Sequence, residues 1–224
     1  MPLSSAVLVG LLGWGVLVGV DLVSFPQALL SRPLIAAAGA GMILGDPVSG
    51  LEVGMAIELF ALDVLPVGAA RYPDYGAGAI GAVVLASGRP LDEVLGFAAF
   101  FALGFAMIGG WSLQVLRRAN GSLVRRNAAG LAAGDPATIA LIQYRGLAGD
   151  AMRSLLLTGL ALATALLLRP VLPEGPRFVL VTAVAIGCGA AAALGGAVRT
   201  AGWGTRLRWL LVGSGAGLLL AVLR

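Results

Sequence analysis

Apolar residues run along this chain in long uncharged stretches. Residues 1–20, 94–116, 154–168, 178–198 and 209–223 contain no charged side chain. An α-helix needs about 20 apolar residues to cross about 30 Å of hydrocarbon, so several of these stretches reach or approach a full span. The pattern predicts helices at 3–24, 94–116, about 152–172, 177–198 and 207–223. A membrane β-barrel would require alternation of apolar and polar positions, and runs such as LLLTGLALATALLL do not alternate. The fold class read from this pattern is an all-α polytopic membrane protein with about six to eight hydrophobic segments.

Between positions 26 and 90 the pattern changes. LIAAAGAGMILG lasts about 12 residues before Asp46 and Pro47, or about 18 Å if helical, which is too short to span. Brief apolar pieces then alternate with acids, and GAGAIGAVVLASG again falls short. Re-entrant or broken helices in 34–88 account for this better than full spans. In the first helix, Gly15 and Gly19 have the GxxxG spacing that lets another helix approach closely. The whole of 1–224 reads as one membrane domain. Its parts are a broken-helix region at 26–90, a basic loop with an interfacial helix at 117–150, and C-terminal helices at 151–224.

Composition agrees with a lipid environment: 59% of residues are hydrophobic, 12% are charged, and the mean hydropathy is +0.97. All fifteen basic residues are arginines, and most lie between apolar runs. Arg117, Arg118, Arg125 and Arg126 form the tightest cluster, which places that segment in the cytoplasm by the positive-inside rule. Without interleaved aromatics this cluster does not point to nucleic acid. The N-terminus lacks the basic residues of a signal peptide, so the first apolar run is expected to be a retained helix. A single cysteine, Cys188, and no histidine argue against disulfides, thiolate or histidine metal sites, and histidine-based catalysis. No catalytic residue, metal or cofactor is implied.

The candidate chemistry is carboxylate and amide chemistry. Asp46, Glu52, Glu58 and Asp63 lie between Leu34 and Ala70 with no basic residue among them. Four ionised acids facing lipid would cost on the order of 10 kcal/mol. They are therefore expected to be paired, protonated, interfacial or turned into a wet cavity. Glu58 is the leading candidate for the cavity, and Asp46 beside Pro47 reads equally well as a helix cap. Sugar hydroxyls need donors and acceptors in a water-poor place, and Glu58, Asp74, Gln27 and Asp21 are of the right type. Arg32 either pairs with one of these acids or snorkels to the surface. Glycines at 39, 41, 45, 50, 54 and 68 keep backbone within reach of a neighbouring helix or a ligand.

These residues also carry a family resemblance. Arg32-Pro33-Leu34, Leu44-Gly45-Asp46, Gly50, Gly54 with Glu58, Val67-Gly68-Ala69-Ala70 and Pro73-Asp74 follow one another in order over about 45 residues. In this they resemble IIC subunits of the mannose, fructose and sorbose family of the bacterial phosphotransferase system. The resemblance implies a membrane subunit that binds and passes a hexose-like sugar by alternating access, without itself being phosphorylated. A IID subunit would share the membrane with it, and soluble IIA and IIB subunits would carry phosphate on histidines. It adds Gly68 and Ala69 to the substrate-binding candidates and makes Arg32, Pro33, Gly45, Asp46, Gly50 and Gly54 structural or gating residues. The basic cluster would either set topology or dock the cytoplasmic subunits, and the glycine-rich faces point to helix association, including a homo-oligomer. Two other readings stay open: a IIC-like scaffold or regulatory subunit, and a proton-coupled carrier unrelated to phosphotransfer. An intramembrane carboxylate dyad is disfavoured, because Glu58 and Asp63 stand about 140° apart around a helix.

Overall fold

The computed structural model describes residues 3–62, 72–173 and 175–201, and eight α-helices occupy most of them. No strand occurs among the described residues. The first helix, α1 (Ser5–Val23), begins where the Ser4 hydroxyl accepts from Val7 N, and it stops just before Pro26. The two short helices anticipated from the glycine and proline punctuation are present as α2 (Pro33–Leu44) and α4 (Gly76–Ala86). Gly45, at φ 75°, ends α2 in the left-handed conformation that glycine adopts without steric cost. Asp46 then caps α3 (Pro47–Ala61): its carboxylate accepts from Ser49 N at 3.2 Å and Ser49 Oγ at 2.7 Å. It also accepts from Ser87 Oγ at 2.8 Å and Gly88 N at 3.0 Å, which ties the start of α3 to the end of α4.

Glycine explains why α2 and α3 form a tight hairpin. A Cβ at Gly50 would stand 2.8 Å from Ala37 O and 2.9 Å from Gly41 Cα, and one at Gly54 would stand 3.0 Å from Leu34 Cα. The GxxxG pair of α1 serves the same purpose against α7. Gly15 faces Thr158 and Gly19 faces Ser154, so small residues stack on small residues and the two backbones close up.

All eleven residues of α4 are buried. A helix that is apolar all round belongs in an interior, and α4 is enclosed by α1, α2, α3, α5 and α7. At about 16 Å it does not span a bilayer by itself. Arg169 finishes it, donating to Val84 O at 3.2 Å and Ser87 O at 2.5 Å, the carbonyls that a helix C-terminus leaves without partners. Around this centre, Val9, Leu17, Met107, Trp111, Leu156 and Leu167 are among the large apolar side chains that face outward. In a chain of this hydropathy, that surface is where acyl tails pack.

Two expectations need correction. The run 94–116 is only the middle of α5 (Leu91–Arg126), so Arg117, Arg118, Arg125 and Arg126 sit on a helix and not in a loop. Residues 127–150 are not a helix and loop set apart from the next span either. After the short α6 (Ala128–Ala132), Asp135 caps α7 (Pro136–Leu168), which runs unbroken for 33 residues through the segment expected to start at 152. Hydropathy reports where lipid begins, whereas helix continuity needs only backbone hydrogen bonds and the absence of a breaker. Helix α8 (Val179–Ala201) follows two 3-10 turns at 169–171 and 176–178. The helix expected at 207–223 lies outside the described residues.

Candidate functional site

Polar groups converge where α1 ends. Asp21 is 2% exposed, and both of its oxygens are taken by backbone of the following loop: Ala28 N at 2.5 Å and Ser31 N at 3.0 Å. These bonds hold residues 24–32 in a conformation in which Gln27 and Leu29 have φ of 58° and 65°. Left-handed backbone at residues other than glycine costs on the order of 1–3 kcal/mol each and persists where the surroundings impose it. The Asp21 carboxylate, shielded from water and bonded to two N–H groups, is what imposes it here.

Arg32 follows this loop and stands at the N-terminus of α2. Its Nε donates to Glu58 Oε1 at 2.8 Å and its Nη2 reaches the same oxygen, while Glu58 Oε2 accepts from Leu34 N at 3.1 Å. Glu58 therefore joins the last turns of α3 to the first turn of α2. Its partner comes from outside the acid-rich segment, so the apparent lack of a base for Glu58 in the sequence is resolved at a distance of 26 residues. The ion pair is about four-fifths buried on the Glu58 side.

Two cavities meet beneath the loop. The inner one, of about 410 Å³, is bounded by Asp21, Gln27, Ser31, Arg32, Pro33 and Tyr75. The other, of about 490 Å³, lies between the end of α1, α5 and α7, bounded by Ser24, Gln27, Arg117, Asn120, Gly146 and Asp150. Leu22, Gln27 and Tyr72 belong to both walls. Tyr72 is held in place by Arg117, whose Nη2 donates to the phenolic oxygen at 2.9 Å and whose guanidinium carbon lies 5.2 Å from the ring centroid.

Behind the cavities is a buried ionic cluster that the sequence reading did not single out. Arg153 on α7 donates from Nη1 to Asp74 Oδ2 at 2.7 Å and from Nε to Asp150 Oδ1 at 3.4 Å. The other Asp74 oxygen accepts from Gly76 N at 3.2 Å, and the Ser24 hydroxyl donates to Asp150 Oδ2 at 2.8 Å. Arg153, Asp74 and Asp150 are 9%, 2% and 1% exposed. Gly109 leaves room for this arrangement, since a Cβ there would stand 2.9 Å from both Cβ and O of Asp74. The cluster links α1, the segment entering α4, α5 and α7. One local signal was available: Asp150 and Arg153 stand three apart on a helix that is otherwise apolar beyond them.

The structure thus brings Asp21, Gln27, Arg32 and Pro33 to the inner cavity, with Glu58 behind Arg32. Asp74 turns into the ionic cluster, although its neighbours Pro73 and Tyr75 line the inner cavity. Gly45, Asp46, Gly50 and Gly54 shape the α2–α3 hairpin. Arg117 belongs to the second cavity, while Arg118, Arg125 and Arg126 are exposed along α5. Gly68 and Ala69 lie outside the described residues.

Interrupted helices, buried carboxylates and cavities edged by polar groups within an apolar bundle define a multi-pass α-helical membrane protein. Residues 3–204 match the family described as the sorbose-specific IIC component of the phosphotransferase system. The chain belongs to that family and is a IIC membrane subunit of the mannose and sorbose group. Among curated relatives, the sorbose-specific EIIC component of Lacticaseibacillus casei is 38% identical over 74 residues, 33% of this chain and 26% of the relative. The sorbose-specific EIIC component of Klebsiella pneumoniae is 44% identical over 54 residues, 24% of this chain and 20% of the relative. The aligned segments thus span about a quarter or less of those relatives. A solved membrane-protein structure has the same fold at a TM-score of 0.78 and 19% identity, covering 99% of this chain and 96% of the other. The cryo-EM structure of the mannose transporter ManYZ with microcin E492 matches at a TM-score of 0.66 and 21% identity, covering 100% and 96%.

Proposed function

We propose that this chain is the sugar-translocating subunit of a mannose-type phosphotransferase system in the bacterial cytoplasmic membrane. It binds a hexose-like sugar in the inner cavity and passes it to the cytoplasmic side without being phosphorylated itself. A IID subunit works beside it in the bilayer, and cytoplasmic IIA and IIB subunits bring the phosphoryl group. The observation that carries this reading is the inner cavity. Amide, hydroxyl and guanidinium groups from Gln27, Ser31 and Arg32, with the Asp21 carboxylate fixing the loop behind them, border a hollow of about 410 Å³, within the range of small-molecule sites of roughly 300–1,000 Å³. The 224 residues contain no histidine to carry phosphate, which agrees with that division of labour.

Glu58 acts in this scheme by fixing Arg32 at the cavity wall, and Gln27 offers its amide directly. Asp74 contributes by holding the segment that carries Tyr72 and Pro73. Gly68 and Ala69, which precede that segment in the chain, stay in the proposal as backbone contacts for the sugar. The test is equilibrium binding of mannose, fructose and sorbose to the chain purified with its IID partner. Glu58→Ala and Gln27→Ala are expected to weaken binding by about tenfold or more, or 1.4 kcal/mol. Unchanged affinity in both variants refutes the assignment of the inner cavity.

A further inference from the structure

The second cavity carries Arg117 of the arginine cluster on its wall and is distinct from the proposed sugar site. Its α5 wall is one helical face, with Leu113, Leu116, Arg117 and Asn120 at spacings of three and four. Its α7 wall is Gly146, Leu147 and Asp150, and its third side is the end of α1 with Gln27. Asn120 makes no hydrogen bond within the described residues, and the Gln27 amide makes only a 3.5 Å contact to Val23 O. Each amide offers two donors and an acceptor. The space between Gly146 and Asn120 is open: even a Cβ at Gly146 would come no nearer than 4.0 Å to the Asn120 amide nitrogen.

Asp150 is 1% exposed and its carboxylate is engaged by Ser24 and Arg153. The polar groups offered to this space are therefore chiefly the Asn120 and Gln27 amides beside the Arg117 guanidinium, a set that can hydrogen-bond a neutral polyol. Leu22, Gln27 and Tyr72 separate this cavity from the inner one, and the Tyr72 ring is fixed by Arg117. By the positive-inside rule the Arg117 end of α5 faces the cytoplasm. The two cavities adjoin across that shared wall, and it is the second that carries Arg117.

We propose that the cavity between Asn120, Arg117, Gln27 and Asp150 is a second, cytoplasm-side subsite for the unphosphorylated sugar, reached from the inner cavity past Tyr72. This rests on the inner cavity being a sugar site, and the experiment separates the two ideas. Cys188 is replaced by Ser, and Ser31→Cys, which reports the inner cavity alone, and Asn120→Cys, which reports the second, are made one at a time. Membrane vesicles carrying the full complex are treated with a maleimide with and without saturating mannose, fructose or sorbose, and with mannitol as control.

Protection of both cysteines is the expected result. Protection of Ser31→Cys alone overturns the second subsite and leaves the inner site standing. Protection of neither overturns the inner site and the subsite with it. Protection of Asn120→Cys alone overturns the inner site and, with it, the route from that cavity past Tyr72. Because closure of the protein would also shield a cysteine, Asn120→Trp provides an independent measurement. Filling the cavity should lower phosphoenolpyruvate-driven uptake by about tenfold while Ser31→Cys remains protected at the same half-saturating sugar concentration. Normal uptake in Asn120→Trp overturns the proposal.

Discussion

Removing Arg153 tests the ionic cluster most directly. The guanidinium is the only basic group bonded to Asp74 and Asp150 within the described residues, and the three side chains are 7%, 3% and 2% exposed. In Arg153→Met, a chain of similar length replaces the charge and two carboxylates are left buried without it. Breaking a buried pair from one side typically costs about 3–5 kcal/mol, much of it from the charge left behind. For a chain of this size each kcal/mol moves Tm by about 2–4 °C, so a fall of roughly 6–20 °C is expected. The measurement is the apparent Tm of detergent-purified protein, from the monodisperse fraction surviving heating at one fixed rate. Adding Asp74→Asn removes one of the stranded charges, so the double variant should recover part of the loss. Arg153→Lys should fall between wild type and Arg153→Met, because one ammonium cannot present two separate guanidinium edges to Asp74 and Asp150. A Tm for Arg153→Met within about 2 °C of wild type, less than a single kcal/mol, would refute the view that this cluster holds α1, α4, α5 and α7 together.

The α2–α3 hairpin and the start of α7 give two further expectations. Gly50→Ala places a Cβ 2.8 Å from Ala37 O and 2.9 Å from Gly41 Cα, both backbone atoms that cannot swing aside. It should destabilise by about 1–3 kcal/mol in the same Tm assay, whereas Gly13→Ala, with no atom within 4 Å, should be neutral or gain up to about 1 kcal/mol of helix propensity. Asp135 accepts hydrogen bonds from the Thr138 hydroxyl and from the N–H groups of Thr138 and Ala137, and these hold its pKa below the ordinary 3.8. A carboxyl group whose folded pKa is depressed contributes stability that is complete above its unfolded pKa and is lost as pH falls through the folded value. Amide exchange at Ala137 and Thr138 should therefore lose its protection only below the ordinary carboxylate range. Asp135→Asn should make that protection independent of pH there, and a loss of protection at neutral pH in wild type would contradict the cap.

Much of the architecture is written in local punctuation. Gly45-Asp46-Pro47 ends one short helix and starts another because a left-handed residue, a capping carboxylate and an N1 proline each act on backbone within three residues. The GxxxG pair of α1 announces close packing, and the structure supplies the partner in Ser154 and Thr158. The bounds of α5 and α7 were less legible, because arginines at a helix end are helix-compatible and only change the solvent. Of the substrate candidates, Asp21 and Gln27 border the inner cavity beside Arg32, which was expected to be structural or gating, whereas Glu58 and Asp74 turn to Arg32 and Arg153. Tyr72, Asn120 and Arg153 were not legible. An aromatic ring that divides two cavities, an amide that faces open space and a guanidinium that meets an acid 79 positions away become special only when helices are placed beside one another.

The buried and half-buried carboxylates show why the line falls there. A carboxylate removed from water must be compensated, and this chain does so in two ways. Asp21 and Asp46 are satisfied mainly by N–H and hydroxyl groups, most of them within ten residues, and a capping or turn role is readable from the neighbouring Pro, Gly and Ser. Glu58 and Asp74 rely on Arg32 and Arg153, at separations of 26 and 79 residues. The sequence states the cost of those charges without naming who meets it. The long-range pairs therefore act beside the glycine contacts and the Asp46 cap in fixing which helices lie side by side. Exchanging the charges of Arg32 and Glu58 together should then be far better tolerated than either change alone, since the pair joins α2 to α3 while each single change leaves two like charges facing one another in place of an ion pair.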